Sequence, residues 1–417
     1  MLESRGGSAA GPGADTAGVF PRSIPSAEPV AMRRPGGVPR EPKRASPLRG
    51  GTDQMLSRYV SLKRGISLAA VAGCLVAGCL AGMTNSSQAG PFGLFRSTPK
   101  RVAVRPNAGP VPDTPPVVPG TGVLAKGVSD DFEDPKWKWY YNHPKSSEEQ
   151  DDRLRGPIGR SANRLWFEGP MRGTPDAVKR IALPAAGLEG SEHGLLLASL
   201  HAGIPGYVSG KMQQDDIVFD MQRKLPRGMS VLDSPSVVVR VYLPPFKQWE
   251  NRSGPSFGFR AGCYTHSIIT GEDHPSRGEY GLEEYWPGMF ICFENGDEKR
   301  YEEDGAYIRV RAGRSGNEIM GPRVEKLGWW TLGLSFSPDG VVHYFASPGV
   351  DDLTKEDHIT SQYPYGYRTE ILKTFFFNVC THDDGKTWST PWVIDDPKVY
   401  FVKREQVARQ PGRSSKK

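Results

Sequence analysis

Along most of the chain's second half, apolar and polar side chains alternate with a period of two. In "PSVVVRVYLPP" (235–245), Val237, Val239 and Val241 fall on one face. "PSFGFRAGCYT" (255–265) does the same with Phe257, Phe259, Ala261 and Cys263, and "GMFICFE" (288–294) and "AYIRVRA" (306–312) repeat the pattern. That period belongs to strands buried on one side. "GWWTLGLSFSPDGVVHYFAS" (328–347) predicts a hairpin. Trp330, Leu332, Leu334 and Phe336 face one way, Ser337-Pro338-Asp339-Gly340 turns the chain, and Val341, His343 and Phe345 alternate on the return. "TFFFNVCTHDDGKTWSTPWVIDDPKVYFV" (374–402) adds two or three strands. Helical periodicity is confined to a turn or two in "AVKRIALPAAG" (177–187). The prediction is one all-β domain over residues 128–403.

The chain before it reads differently. Residues 1–54 are rich in Gly, Pro, Ser and Ala and hold few large apolar side chains, so they cannot offset their ordering entropy and read as disordered. From Met55, Arg58, Lys63 and Arg64 precede a small-apolar run from Ile66 to about Met83, then Ser87-Gln88-Ala89. This is the layout of a secretory signal, 55–89, and it predicts an exported protein whose translation starts at Met55. A weakly hydrophobic membrane span is the alternative. Cleavage after Ala89 releases a soluble chain, whereas the "VAGC" strings ending at Cys74 and Cys79 resemble a lipobox, and lipidation at Cys79 tethers it to a membrane. Residues 90–127 form a Pro-rich linker and 404–417 a disordered basic tail.

Charge changes the choice of partner. The net charge is +6, but residues 1–54 carry 8 basic and 5 acidic side chains, 55–127 carry 8 and 1, and 403–417 carry 6 and 1. The remaining stretch, 128–402, therefore carries −9, and an acidic domain repels a phosphate backbone. Nucleic acid is excluded as a natural partner. Cys263, Cys292 and Cys380 have no C-x-x-C spacing, which speaks against a zinc site and leaves a disulfide or buried thiols open.

Two resemblances bear on the fold. Thr381-x-Asp383-x-Gly385-x-Thr387-Trp388 resembles the Asp-box hairpin of sialidase-type propellers. A propeller repeats its signature every ~40–50 residues, and a single copy is present, with no F/Y-R-I-P motif. The ends of the domain, "SDDFEDPKWKW" (129–139) and "TPWVIDDPKVYFV" (390–402), with "GLLLASLHAGIPGYVSGKMQQDDIVFD" (194–220) between them, resemble concanavalin A-like lectin/glucanase domains of the laminarinase type. That resemblance implies a two-sheet antiparallel jelly-roll sandwich, in which the Asp-box-like turn joins two late strands.

Laminarinase-like enzymes carry E-x-D-x-x-E, which puts two carboxyls ~5–5.5 Å apart on one strand. The motif is missing. Glu279, Glu283 and Glu284 in "GEYGLEEYWPG" are the nearest acids, in a segment whose Gly and Pro residues suggest a loop, and they read first as solvated. His201, His266, His274 and His382 lack metal spacing. A polysaccharide or other glycan is the better partner, because sugars stack their C–H faces on rings while polar groups read the hydroxyls. Trp249, Tyr280, Tyr285, Trp286 and Tyr365 are the candidate rings. Related sandwiches often hold a structural calcium where first and last strands meet, and the resemblance assigns one to Asp131, Asp395 and Asp396, with Asp130 beside them. Paired acids that only protect edge strands are the alternative. The expectation is a non-catalytic glycan-binding or surface-associated protein, with a glycoside hydrolase or polysaccharide lyase as runner-up.

Overall fold

The computed structural model describes residues 101–104, 109–112, 115–271, 274–298 and 300–402. The signal segment, the leader before it and the basic tail lie outside the described residues.

Two antiparallel sheets pack face to face. The smaller, of eight strands, runs His358–Gln362, Val342–Pro348, Gly328–Phe336, Ser236–Leu243, Trp392–Phe401, His193–Ala198, Ala177–Ala182, with Val123–Ser129 beside Trp392–Phe401. The larger, of twelve, is centred on Gly288–Glu294, Gly254–Gly271, Ile371–Thr381 and Gln213–Phe219. The expected sandwich is therefore the observed fold. The propeller alternative is overturned, and the Asp-box-like turn carries the chain from the larger sheet (Ile371–Thr381) to the smaller (Trp392–Phe401).

Alternation builds the core as the sequence predicts. Val237, Val239, Val241, Leu332, Leu334 and Phe336 come from the smaller sheet and meet Phe257, Phe259, Ile291, Ile308, Phe375 and Phe377 from the larger. Two tryptophans anchor this layer. Trp166 lies edge-on to Phe219, centroids 4.9 Å apart, and Trp392 packs 5.0 Å from both Phe257 and Trp249. The Trp166 indole N–H donates to Asp130 at 2.8 Å, so the polar end of the ring is satisfied inside the core.

Four local expectations change. In the hairpin, Gly340 takes φ +84° as the turn requires, but the return strand starts at Val342, and Val342, Tyr344 and Ala346 face the core. His343 and Phe345 are buried on the opposite face, where His358 of the next strand packs 5.1 Å from the Phe345 ring. Both parities are apolar or covered, so alternation alone could not choose between them. "AVKRIA" is a strand, paired with His193–Ala198, because its β-branched residues find a partner edge. The segment around Glu279, Glu283 and Glu284 is a strand too, His274–Tyr285, in a long ribbon with Gly254–Gly271. Finally, Val123–Ser129 starts inside the stretch read as linker, and Pro119 packs under Gly333.

Candidate functional site

In the central strands of the larger sheet, the residues between the core positions point away from the partner sheet, and buried polar side chains stand among apolar ones there such as Phe290, Cys292 and Phe376. Register sets Asn378 opposite Asp216 on one side and Gly258 on the other, so three strands contribute one row. Asn378 Nδ2 donates to Asp216 Oδ1 at 2.6 Å, and Gln214 Nε2 reaches the same oxygen at 3.2 Å. Gly258 has to be glycine here: a Cβ would sit 2.6 Å from Asn378 Oδ1 and 2.8 Å from the Phe290 ring. The next row holds Arg260 opposite Phe376. Its guanidinium lies over the Phe376 and Phe290 rings, 5.2 and 5.7 Å from their centroids, and donates to the Trp286 carbonyl at 2.7 Å.

The Gly169–Gly173 turn closes one side of the row. Gly169 N–H donates to the Asp216 carbonyl and Asp216 N–H to that of Gly173, both at 3.0 Å. A Cβ at Gly169 would lie 2.6 Å from the Asp216 Cβ, so the turn can approach only as glycine. It carries Arg172, which pairs with Glu149 at 2.5 Å. Burial raises the Asp216 carboxyl above its ordinary range, against the pull of Arg172, the Asn378 amide and Arg260. Burial likewise lowers the Arg260 guanidinium. The face is thus a desolvated set of one carboxylate, two amides and two guanidinium groups.

The rings chosen from sequence divide. Trp286 is 40% exposed at the margin of this face, and its carbonyl receives Arg260 and, at 3.4 Å, the Tyr365 hydroxyl. Tyr365 is half-buried with φ +58°. Tyr280, 75% exposed, stacks on His266 at 5.3 Å on the projecting ribbon. Trp249 and Tyr285 are core residues instead. Trp249 donates its indole N–H to the Pro244 carbonyl at 2.7 Å among Phe246, Phe293 and Trp392, and Tyr285 donates to Thr369 at 2.9 Å. Glu284 is paired with Lys373 at 2.7 Å, and Glu283 and Glu279 stand opposite Thr265 and Ile269 in the ribbon register. Asp216, Asn378, Gln214, Arg260 and Arg172 escaped sequence reasoning. Their signal was there: "KMQQDDIVFD" and "FFFNVC" place polar residues at the outward parity of central strands.

The acids assigned to calcium also divide. Asp130 is fully used, accepting from Trp137, Trp166 and Asn163 at 3.0, 2.8 and 2.9 Å. Asp396 is claimed by cations, Lys398 at 2.6 Å and Arg240 at 3.6 Å. Asp131 is exposed and caps the Glu133 N–H at 3.1 Å. Asp395 is different: it is 0% exposed, and Ser191 and the Asp396 N–H approach its carboxyl without closing a well-formed hydrogen bond. Burial pushes its carboxyl up to about 7, and the Asp396 and Glu133 carboxylates add to the rise. Glu133, Glu192 and His193 have ligand atoms within 4.8 Å of one another, with His193 Nδ1 2.7 Å from Glu133. Asp396, paired with two cations, is a poor ligand for a further one.

The Asp-box-like turn is held both by its own side chains and by neighbouring segments. Asp384 accepts from the Lys386 and Thr387 N–H groups at 2.8 and 2.7 Å, and Asp383, at φ +53°, holds Ser209 at 2.8 Å. The three cysteines are separate buried thiols, and burial pushes Cys292 and Cys380 up to about 12.

No family model matches the chain, and no curated protein matches it. Among solved structures it is similar to a carbohydrate esterase of the Shiga toxin-encoding bacteriophage phi24B, at TM-score 0.34 and 9% identity over 58% of this chain and 91% of that one. It is also similar to an alginate lyase of Pseudomonas aeruginosa (TM-score 0.31, 7% identity, 54% of this chain and 86% of that one). A third is the lumenal domain of VIP36 bound to Ca2+ and Man3GlcNAc (TM-score 0.31, 13% identity, 59% and 90%). Overlaps of this size say nothing about activity.

Proposed function

We propose that the protein is an exported, non-catalytic glycan-binding sandwich that holds a polysaccharide against the outer face of its larger sheet. The carrying observation is the Asp216–Asn378–Gln214 set beside Arg260: polar groups held desolvated together on the outward side of the larger sheet. A carboxylate accepts, amides donate and accept, and a guanidinium donates in a fork, which together suit the mixed donor–acceptor edge of vicinal hydroxyls. Trp286 supplies the ring for a sugar C–H face at the margin. Export by the segment 55–89, with or without a lipid at Cys79, belongs to the same reading, as does a structural calcium at Asp395 with Glu133.

One observation favours the runner-up, a carbohydrate-active enzyme. The raised Asp216 carboxyl is the kind of group that serves as a general acid. A single assay separates the two. The full chain is incubated with a panel of polysaccharides and calcium, and both depletion onto polymer and release of reducing or unsaturated ends are measured. Retention without released ends supports binding, released ends replace it with catalysis, and neither on any polymer sinks both.

A further inference from the structure

A second buried cluster takes no part in the glycan reading. On the core-side parity of the strand Gln213–Phe219, Asp215 is 0% exposed, and the Lys145 ammonium lies 2.8 Å from its Oδ2. The same Nζ is 3.0 Å from Asp176 Oδ1 and 2.5 Å from the His201 carbonyl, with side-chain exposures of 8% for Lys145 and 18% for Asp176. Ser199 Oγ donates to Asp215 Oδ2 at 2.6 Å, while Asp215 Oδ1 has no hydrogen-bond partner. Asp176 is fixed by its other oxygen, which accepts the Leu200 and His201 N–H groups at 2.7 Å each. Two carboxyl groups therefore crowd one ammonium out of water, and charge buried in this way barely repays its desolvation.

We propose that Lys145 and Asp215 join in an intramolecular isopeptide bond, with Asp176 as the proton carrier. Burial pushes the Asp215 carboxyl up to about 8, so near neutral pH it is the protonated acid, an electrophile rather than a spectator anion. Burial alone would lower Lys145, but Asp215 and Asp176 raise it, so the amine has to be unmasked by its neighbour. Asp176 takes one proton from the ammonium. The freed lone pair attacks Cγ of Asp215, the C–N bond forms, and the C–O bond to the hydroxyl breaks. A second nitrogen proton leaves with that hydroxyl as water, the third stays on the amide, and Asp176 keeps the first. No oxidant or cofactor is needed. The product removes a charge pair from the interior and ties Lys145 to a strand 70 residues away, in a domain whose three cysteines are all unbridged.

The test is a tryptic digest of the denatured full chain, read by mass spectrometry. The expected species joins residues 139–153 to 212–223, lighter by one water than their sum and uncut after Lys145. It is absent from Lys145→Arg, and absent from Asp176→Ala that still melts cooperatively. Recovery of 139–145 and 212–223 as separate peptides from wild-type chain with a cooperative melt overturns the proposal, and that readout needs no variant. A bridge to 173–179 instead overturns the assignment to Asp215. A bridge that persists in folded Asp176→Ala removes Asp176 from the step.

Discussion

Asn378 Nδ2 donates to Asp216 Oδ1 at 2.6 Å across the register pair of two central strands in the larger sheet. The bond fixes the carboxylate with its amide partner on the outward side of the sheet, where both are buried. Asp216→Asn keeps the shape and removes the charge, so polymer retention should fall about tenfold or more, the equivalent of ~1.4 kcal/mol. Asn378→Ala leaves the buried carboxylate short of a donor and should cost about 1–3 kcal/mol of stability as well. Retention isotherms beside urea melts check both. Unchanged retention in folded Asp216→Asn would remove this face from the site.

Trp286 and Trp249 looked alike in the sequence and differ in the fold. Trp286→Ala should weaken retention and leave the melting temperature almost unchanged, because the ring is 40% exposed. Trp249→Ala opens a cavity beside Trp392 and Phe293 and should cost about 3–5 kcal/mol, with the binding of surviving folded protein unchanged. Equal losses of stability in the two variants would contradict this division.

That contrast shows what the sequence could and could not say. Period-two alternation was enough for Val237–Val239–Val241 and Phe257–Phe259–Ala261 to be placed on the core, since one parity there is apolar throughout. It could not separate Trp249 from Trp286, because both sit in irregular segments where burial depends on what another strand brings over them. The polar row was legible only as an oddity, Asn378 between phenylalanine and valine, since its partner Asp216 is 162 residues away and only register joins them. Glu279 to Glu284 read as loop because Gly278, Gly281 and Pro287 are strand breakers in a central strand, whereas a projecting two-stranded ribbon tolerates glycine.

Calcium should act through Asp395. Its carboxyl is buried without a well-formed hydrogen bond, so binding an ion there relieves a group that folding leaves poorly compensated. Thermal melts at neutral pH should rise with millimolar calcium and fall back with chelator. At a calcium level about 100-fold over its dissociation constant the gain is ~2.7 kcal/mol. Asp395→Asn should abolish that response and, by removing the stranded charge, make the calcium-free protein no less stable. A calcium response that survives the substitution would place the ion elsewhere.

His343 gives the fold an acid limit. It is buried, with Nδ1 2.7 Å from Ser361 Oγ and Nε2 lacking a partner. Burial, then His358, lowers it from the ordinary 6.5 to about 4. Between those values the unfolded chain binds a proton that the folded chain refuses, so stability falls as pH drops from about 6.5 towards 4 and is fully present above 6.5. The loss amounts to about 2–3 kcal/mol by pH ~4.5. His343→Gln can keep the bond to Ser361 and does not titrate. Urea melts at pH ~7 and ~4.5 should therefore show a smaller acid loss in the variant than in the wild type, by about that amount. Parallel losses in the two proteins would mean that carboxylates elsewhere, and not this histidine, set the acid limit.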